Sequence, residues 1–262
     1  MDAIVLTCDR FRALTEHMIY QYDRLWPDHG LRFLIPFQDD RGVDTRTVKF
    51  IRSEPSIKQT VLTLLAEFDD EDWIYWAIDD KYPVILNVPQ IMTIRDKLLV
   101  RDSVNGVLFC RCRNLCRPEC LNSLEIDSEG HRYLGRRGYD QIWIHQFLRV
   151  KILRRLFSAF PNKIDRAKDL DELKGGPNVP APELLFVSER TFAVFGESTS
   201  RGILTQNCWE SIVNYGLRLP SWFRGTTGAR VLMGWKEYQQ ARNAEQVIAT
   251  VNRTPSRSTS TG

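Results

Sequence analysis

An almost wholly apolar segment, Trp73–Ile78, ends abruptly at two adjacent carboxylates, Asp79 and Asp80, and it indicates the fold class of this chain. A short apolar run without alternation is typical of a strand that is buried on both faces at the centre of a parallel sheet. Open α/β sheets bind their ligands outside the carboxyl ends of such strands. We therefore expect an α/β fold with a functional pair of carboxylates at the carboxyl edge of its sheet.

The first forty residues predict the β-α-β opening of this sheet. Ala3–Thr7 has the length of a buried strand, and Leu31–Phe37 predicts the next strand. Gln38–Arg46 is polar and predicts a loop. Between the two strands, apolar residues three and four positions apart predict one face of a helix that ends at Pro27: Phe11, Leu14, Met18, Tyr22 and Leu25. A helix between two short strands is the opening unit of an open α/β sheet.

Three further segments have the pattern of helices. Ser56 and Gln59 form a capping-box pattern ahead of an apolar stripe, which predicts that a helix begins there. A second helix is predicted from Pro89 to about residue 100. The apolar residues of Gln141–Phe157 return at helical spacing and predict a third helix.

Later segments predict strands and one capped helix. Val104–Cys110 is predicted to be a strand. Leu184–Ser188 and Thr191–Phe195 predict a hairpin, although the two residues between them are not a favoured turn. Thr205 is predicted to cap a helix that ends at a glycine, residue 216.

Composition predicts a soluble, intracellular, folded protein. Of 262 residues, 43% are hydrophobic and 26% are charged, which is enough for a core. Lys and Arg number 36 and Asp and Glu 33, and the net charge of +3 argues against a surface coated in positive charge for nucleic acid. The longest uncharged run, Tyr82–Ile94, holds two prolines and is too short to span a bilayer. With no secretion-signal pattern at the start, we expect a cytoplasmic location.

The carboxylate pair is the strongest candidate for chemistry. Asp79 and Asp80 supply hard oxygen ligands of the kind that Mg²⁺ and Mn²⁺ prefer, and such an ion can hold a diphosphate. The alternative is a surface turn in which Asp79 caps the following segment. No glycine-rich loop follows the first strand and no phosphate-loop signature occurs in the sequence, which argues against a dinucleotide site and against a kinase or NTPase of that type.

The order of these elements resembles the nucleotide-sugar half of GT-A glycosyltransferases. The resemblance is carried by the first strand with Thr7–Phe11, the helix, the second strand, the capped helix with Lys58, and then Trp76–Tyr82. A later motif, Phe195–Gly202 followed by Thr205–Cys208, resembles a loop-plus-helix element of some bacterial and viral sugar transferases. The resemblance implies a mixed, mainly parallel sheet flanked by helices.

The resemblance also implies an activity and a metal. A sugar would move from a UDP-, GDP- or dTDP-sugar to an acceptor hydroxyl on a glycan or a related molecule, assisted by Mn²⁺ or Mg²⁺. In that family an Asp-x-Asp motif binds the ion, and Ile78 stands where the first acid is expected. The metal is therefore expected to depend chiefly on Asp80, with Asp79 facing the metal, the sugar or the ribose.

Five further residues are expected to bind the donor, as the resemblance implies. Thr7, Asp9 and Arg10 are placed at the nucleoside, and Lys58 is placed near the ribose or the phosphates. Arg201, together with the neighbouring hydroxyl residues 198 and 199, is expected to close over the donor phosphates.

A general base is needed if the sugar is transferred with inversion. Asp140, just ahead of the predicted Gln141–Phe157 helix, is one candidate, because related enzymes often place the base at such a helix start. Glu197 is the other candidate. The non-catalytic alternatives are that Asp140 caps a helix and that Glu197 is an exposed loop carboxylate. If configuration is retained, neither assignment need hold.

The same resemblance sets the expected domain boundaries. Residues 1–220 are predicted to form a catalytic domain, with a nucleotide-sugar half over 1–103 and an acceptor half over 104–220. Residues 221–248 are predicted to be a C-terminal helical extension, and residues 249–262 a disordered tail.

A cysteine cluster in an arginine-rich segment supports a competing hypothesis. Cys110, Cys112, Cys116 and Cys120 are a full set of zinc ligands, although the spacing lacks the common Cys-x2-Cys knuckle. Nearby basic residues could contact nucleic acid, an anionic glycan or a lipid headgroup: Arg111, Arg113, Arg117, Arg136, Arg137, Arg149, Lys151, Arg154 and Arg155. The alternative function is therefore a zinc-stapled nucleic-acid-binding module. A sugar nucleotidyltransferase is a third possibility, but its glycine-rich basic N-terminal signature is missing.

Overall fold

The computed structural model describes residues 1–112, 124–162 and 167–243. Its strands, in chain order, are β1 (Asp2–Leu6), β2 (Arg32–Phe37), β3 (Val48–Arg52), β4 (Trp73–Ile78), β5 (Lys81–Leu86), β6 (Gly106–Leu108), β7 (Leu124–Ile126), β8 (Arg132–Gly135), β9 (Gln146–Arg149), β10 (Leu185–Ser188), β11 (Ala193–Glu197), β12 (Thr199–Ser200), β13 (Ile203–Leu204) and β14 (Leu232–Met233). Its helices are α1 (Arg12–Leu25), α2 (Ile57–Leu64), α3 (Val88–Thr93), α4 (Val150–Ala159), α5 (Ala167–Leu173) and α6 (Gln206–Asn214). A π-helical turn over 94–98 continues α3, and residues 235–243 are helical.

Nine of the described strands form one mixed sheet in the order β3-β2-β1-β4-β9-β6-β10-β8-β7. The first four strands pair in parallel, as do β6 and β10. Within this sheet β9 and β8 run opposite to the others, because β9 pairs antiparallel with β4 and β6, and β8 pairs antiparallel with β10 and β7. Together with the flanking helices this confirms the predicted α/β class, with a mixed, mainly parallel sheet.

Strand β4 is buried on both faces, as its composition predicted. Tyr75 and Ala77 belong to a core that is shared with α1, while Ile74 and Trp76 belong to a second core that is shared with α2 and α4. Trp76 also donates an indole hydrogen bond to the backbone oxygen of Ile142 at 2.7 Å. The central strand therefore has apolar packing on each side until it reaches the carboxyl edge.

The predicted hairpin of residues 184–188 and 191–195 is wrong. Strand β10 belongs to the nine-stranded sheet, whereas β11 pairs with β5 and β14 in a separate three-stranded sheet. The intervening Glu189 and Phe192 bond instead to the backbone of Arg132 and of Phe109. A two-residue hairpin turn needs residues that accept positive φ, which the Glu-Arg pair does not favour, so the chain crosses between sheets here.

The helix predicted over Gln141–Phe157 is also wrong in its first half. Residues 139–145 turn, Gln146–Arg149 form β9, and α4 begins only at Val150. Strand β9 lies between β4 and β6, so its backbone groups are satisfied by sheet pairing. Apolar residues that are buried on both faces of a central strand fit a helical spacing by coincidence, and the tertiary pairing decides between the two.

Acidic and basic segments that are far apart in sequence neutralise each other in the fold. Lys151 of α4 donates to Glu71 at 2.8 and 2.9 Å, and Arg154 pairs with Asp70. Arg154 also donates to the backbone oxygens of Leu65 and Phe68. These contacts tie α4 to the acidic turn between α2 and β4.

The predicted helix over 89–100 is confirmed by α3 and its π-helical continuation, and the predicted cap of α6 is confirmed as well. The hydroxyl of Thr205 accepts a hydrogen bond from the backbone nitrogen of Cys208 at 3.2 Å. Gly216, with a φ of +64°, follows the end of that helix. None of the described helices has the length and apolar character needed to cross a membrane.

A buried histidine, His145, links helix α1 to the end of β4. The Nδ1 of His145 lies 2.6 Å from the hydroxyl of Tyr22, and its Nε2 lies 2.9 Å from the backbone oxygen of Ile78. Burial lowers the pKa of His145 to about 3, because the charged imidazolium loses its hydration there. The ring is therefore neutral in the folded protein at neutral pH.

We predict that this histidine makes the fold sensitive to acid. The unfolded chain takes up a proton on His145 near pH 6.5, whereas the folded protein does so only near pH 3, so stability is lost as the pH falls below 6.5. Between pH 7.5 and 5.0 the loss from this residue is about 2 kcal/mol. Urea unfolding of the wild type and of His145→Gln at both pH values tests it. The wild type must lose about 2 kcal/mol more than the variant, and equal losses contradict the assignment.

Candidate functional site

An open cleft of about 670 Å³ lies at the carboxyl edge of the parallel strands. Residues that follow β1 and β4 form its floor, and the start of α2 together with α5 forms its walls. The main lining residues are Leu6, Thr7, Cys8, Phe11, Gln38, Ser56, Ile57, Thr60, Asp79, Asp80, Lys81, Trp143, Lys168 and Asp171. The predicted carboxylate pair therefore faces the cavity that is large enough for a ligand.

Asp79 is held at the end of β1. Its Oδ2 accepts a hydrogen bond from the hydroxyl of Thr7 at 2.5 Å, and its backbone nitrogen donates to Leu6 at 3.2 Å. Its backbone oxygen accepts from the hydroxyl of Ser198 at 3.0 Å. Burial raises the pKa of Asp79 to about 7, and the neighbouring Asp80 also raises it, while the Thr7 hydroxyl acts in the opposite direction.

Asp80 is held by the segment that follows β11. Its Oδ1 accepts from the hydroxyl of Thr199 at 2.9 Å, and its backbone oxygen accepts from the backbone nitrogen of Ser198 at 2.8 Å. Its Oδ2 lies 2.8 Å from the ammonium of Lys81. The side chain is 41% exposed, so part of the carboxylate faces the open cleft.

A third and a fourth charge join this pair. The ammonium of Lys81 lies 3.7 Å from Oε1 of Glu197, which stands directly opposite it in the pairing of β5 with β11. No role for Lys81 follows from the sequence alone, although this lysine comes immediately after the acidic pair. Pairing between strands more than a hundred residues apart brings Glu197 to it.

The donor set fits a divalent ion that takes its remaining ligands from substrate. In the described ranges no cluster of three or more His, Cys, Asp or Glu side chains could hold a metal. Mg²⁺-type sites in nucleotide enzymes use one or two carboxylates together with substrate phosphates and water, so two carboxylates at the mouth of a cleft suffice. Asp80, whose side chain is 41% exposed, is the residue that could reach such an ion.

Asp9 and Arg10 have contacts within the fold. The Oδ2 of Asp9 accepts from the backbone nitrogens of Gln38, Asp39 and Asp40 at 3.1, 2.8 and 3.0 Å. Burial alone would raise the pKa of Asp9, but these three hydrogen bonds and Arg12 lower it below its ordinary value. The guanidinium of Arg10 lies over the rings of Phe11 and Trp222. The two residues border the cleft through their neighbours, and their role at the nucleoside stays a prediction.

Lys58 and Arg201 are placed differently from each other. The ammonium of Lys58 donates to the backbone oxygens of Ser158 and Phe160 at 3.1 and 2.6 Å, at the end of α4. Arg201 is exposed, with a φ of +54°, in the turn that joins β12 to β13. Their donor-binding roles also stay predictions.

The predicted capping box at the start of α2 is wrong. Ser56 occupies the cap position, but its hydroxyl makes no capping hydrogen bond, and this buried oxygen has no partner among the described residues. The side chain lines the cleft instead. Hence the first backbone nitrogens of α2 are not capped by Ser56, which leaves a helix N-terminus of the kind that favours anions.

Asp140 does not start a helix, so the premise of its assignment as a base is corrected. It lies in the turn ahead of β9, and its backbone oxygen accepts from the guanidinium of Arg136. Arg136 also donates to Gln146 at 2.5 Å. Asp140 does not line the cleft, whereas Glu197 is joined to the cleft floor through Lys81.

The cysteine cluster is described only in part. Cys110 and Cys112 are buried and belong to no disulfide, and the hydrogen bond with Cys112, together with burial, raises the pKa of Cys110. Cys116 and Cys120 lie outside the described residues, as do Arg113, Arg117 and the tail over 249–262. The zinc site therefore stays a prediction.

Several of the basic residues are used inside the fold. Arg111 donates to the backbone oxygen of Glu189, and Arg149 donates to that of Glu71. Arg136 is buried, and this lowers its pKa to about 10. With Lys151 and Arg154 paired to the acidic turn, these described residues do not form a free basic surface for nucleic acid.

Comparison with known proteins gives similarity in fold only. No family model matches the chain, and no curated protein matches it. Among solved structures, the galactosyltransferase LgtC in complex with donor and acceptor sugar analogs is 15% identical, with a TM-score of 0.38, over 70% of this chain and 67% of that chain. Staphylococcus aureus TarS is 12% identical, with a TM-score of 0.40, over 73% of this chain and 36% of that chain.

A Francisella tularensis 2-C-methyl-D-erythritol 4-phosphate cytidylyltransferase is 10% identical, with a TM-score of 0.41, over 82% of this chain and 99% of that chain. The identities and TM-scores are too low to assign a family or an activity to this chain.

We predict that the hydroxyl of Thr7 holds Asp79 in place. Thr7→Val removes the donor to a buried carboxyl and should lower the free energy of unfolding by about 1–3 kcal/mol. Thr7→Ser keeps the hydroxyl and serves as the matched control. Chemical denaturation of both variants measures the difference, and a Thr7→Val protein as stable as Thr7→Ser would show that the hydrogen bond contributes nothing.

Proposed function

We propose that this protein is a transferase that moves a sugar from a nucleotide-diphosphate sugar to an acceptor hydroxyl. The observation that carries the proposal is the carboxylate pair, Asp79 and Asp80, at the carboxyl edge of β4, facing a cleft of about 670 Å³. Ligands of open α/β sheets bind at this edge. The acceptor is proposed to be a hydroxyl of a glycan or a related molecule.

The cleft offers separate surfaces to the two halves of a donor. The apolar side chains of Phe11, Ile57 and Trp143 line it and suit a planar base. The ammonium of Lys81 suits the negative charge of a diphosphate. In this proposal the diphosphate lies at the acidic edge, and the nucleoside lies toward β1 and the start of α2.

A divalent ion, Mn²⁺ or Mg²⁺, is proposed to bind at Asp80, with Asp79 beside it. When bound there, the ion supplies positive charge that offsets the charge developing on the departing diphosphate. Asp79 is positioned by Thr7 and Ser198, and Asp80 is positioned by Thr199. The chain thus holds the two carboxylates in place before any ligand arrives, which favours proximity of the reacting groups.

Glu197 is proposed as the general base if the reaction inverts configuration. Its side chain is 26% exposed, and although neither candidate is among the lining residues of the cleft, Glu197 lies 3.7 Å from the ammonium of Lys81, which is. A base must come within hydrogen-bond reach of the acceptor hydroxyl, and only Glu197 of these two candidates borders the acidic edge. A cytoplasmic location and a role in glycan biosynthesis remain part of this proposal.

The experiment that tests the proposed function is a thermal-shift screen of nucleotide sugars, each with and without Mn²⁺. One donor class should raise the unfolding midpoint in the presence of Mn²⁺, because a ligand that binds only the folded state stabilises it by mass action. The rise should disappear in Asp80→Asn and persist in the control Asp96→Asn, whose carboxylate is exposed and paired with Arg95. Absence of any shift with UDP-, GDP- and dTDP-sugars would sink the proposal.

A second prediction separates the two candidate bases. With the donor found in the screen, Glu197→Gln should lower the rate of sugar transfer by about 10²-fold or more, since proton removal contributes 10²–10⁴-fold to such reactions. Asp140→Asn should stay within about threefold of the wild type, a difference of under 1 kcal/mol. The rate of sugar transfer is measured as the rate at which the nucleoside diphosphate is released. A reversal of the two results would restore Asp140 as the base.

A further inference from the structure

Lys81 is a buried cation inside the acidic site. Its side chain is 8% exposed, whereas those of Asp80 and Glu197 are 41% and 26% exposed. Its ammonium lies 2.8 Å from Asp80 and 3.7 Å from Glu197. Because an ammonium with so little exposure needs charged partners, Lys81 is held between these two carboxylates.

The backbone fixes Lys81 at this position. It is the first residue of β5 and pairs directly with Glu197 of β11, while the preceding Asp80 accepts a backbone hydrogen bond from Ser198. Both neighbours of the ammonium are therefore carried by the same pair of strands.

The same ammonium opposes a divalent ion. An ion ligated by Asp80 would lie within a few ångströms of the Lys81 ammonium, because both cations use one carboxylate. Two like charges at such a distance in a partly desolvated cleft repel each other. A nucleoside diphosphate turns this net repulsion into net attraction, because its negatively charged oxygens accept hydrogen bonds from an ammonium and also ligate the ion.

We propose that Lys81 is an internal counter-ion that makes divalent-ion binding at Asp80 conditional on a nucleoside diphosphate. In the unliganded protein the ammonium neutralises Asp80. When the diphosphate arrives with the ion, the ammonium donates to the diphosphate oxygens and leaves Asp80 to the ion. The step exchanges ionic contacts and hydrogen bonds and forms no covalent bond. It rests on the proposed function for the identity of the anion.

Titration with Mn²⁺ tests this role, with free Mn²⁺ followed by electron paramagnetic resonance. Without nucleotide, Lys81→Met should bind Mn²⁺ at least tenfold more tightly than the wild type. Lys81→Arg keeps the positive charge and should match the wild type. Lys49→Met is the control for the loss of a surface charge, because Lys49 of β3 is exposed and paired with Glu67. This variant should also bind Mn²⁺ as the wild type does.

Repeating the titration with UDP, GDP and dTDP in turn tests the conditional part. Direct ligation of the ion by the diphosphate is common to both proteins, so the nucleotide that binds should tighten Mn²⁺ binding by the wild type at least tenfold more than it tightens binding by Lys81→Met. Equal Mn²⁺ affinity of the wild type and Lys81→Met without nucleotide overturns the proposal. So does an equal gain with nucleotide in both proteins.

The unfolding midpoint of each variant shows whether it is folded, and Lys81→Gln replaces Lys81→Met if the latter fails to fold. The proposed function fails in a distinguishable way. If none of the three nucleotides binds while Lys81→Met still binds Mn²⁺ more tightly, the donor assignment and the dependence on a nucleoside diphosphate are both wrong, and only the neutralisation of Asp80 by Lys81 stands.

Discussion

The position of the functional site follows from the burial of β4 on both faces. Tyr75 packs into the core beneath α1, and Trp76 packs into the core beneath α2 and α4. With both faces filled, the chain becomes polar only after Ile78, at the carboxyl edge of the sheet. Asp79 and Asp80 therefore lie next to each other at the mouth of a cleft, near the end of β1 and the start of α2. The core positions the site before any ligand contributes.

Charge in this fold is balanced locally, and the net charge of +3 conceals it. The acidic turn ahead of β4 is neutralised by Lys151 and Arg154 of α4, which also closes one side of the second core. The acidic pair beyond β4 is neutralised in part by Lys81. Within the described residues, part of the basic segment of the sequence thus pairs with the acidic turn. The charges that face the cleft are those at the carboxyl edge of β4.

Local patterns in the sequence predicted the parts of the fold that local physics decides. The β-α-β opening, the doubly buried strand and the cap at Thr205 follow from burial and from backbone hydrogen bonding of neighbouring residues. The wrong predictions concern segments whose structure depends on pairing with residues far away in the sequence. The spacing of apolar residues in β9 predicts a helix, but this segment pairs with β4 and β6 as a strand. Strand β11 pairs with β5 and not with β10. The site follows the same rule, since Asp80 was visible in the sequence but the contact of Lys81 with Glu197 was not.

A crystal structure of the protein with Mn²⁺ and the nucleoside diphosphate of its stabilising donor would show where the donor binds. We expect density for the diphosphate beside the carboxylate of Asp80, with the base between the end of β1 and the start of α2. The ammonium of Lys81 should then point to a phosphate oxygen. A nucleotide bound away from the carboxyl edge of β4, or a diphosphate with no contact to the ion at Asp80, would show that the proposed site is wrong.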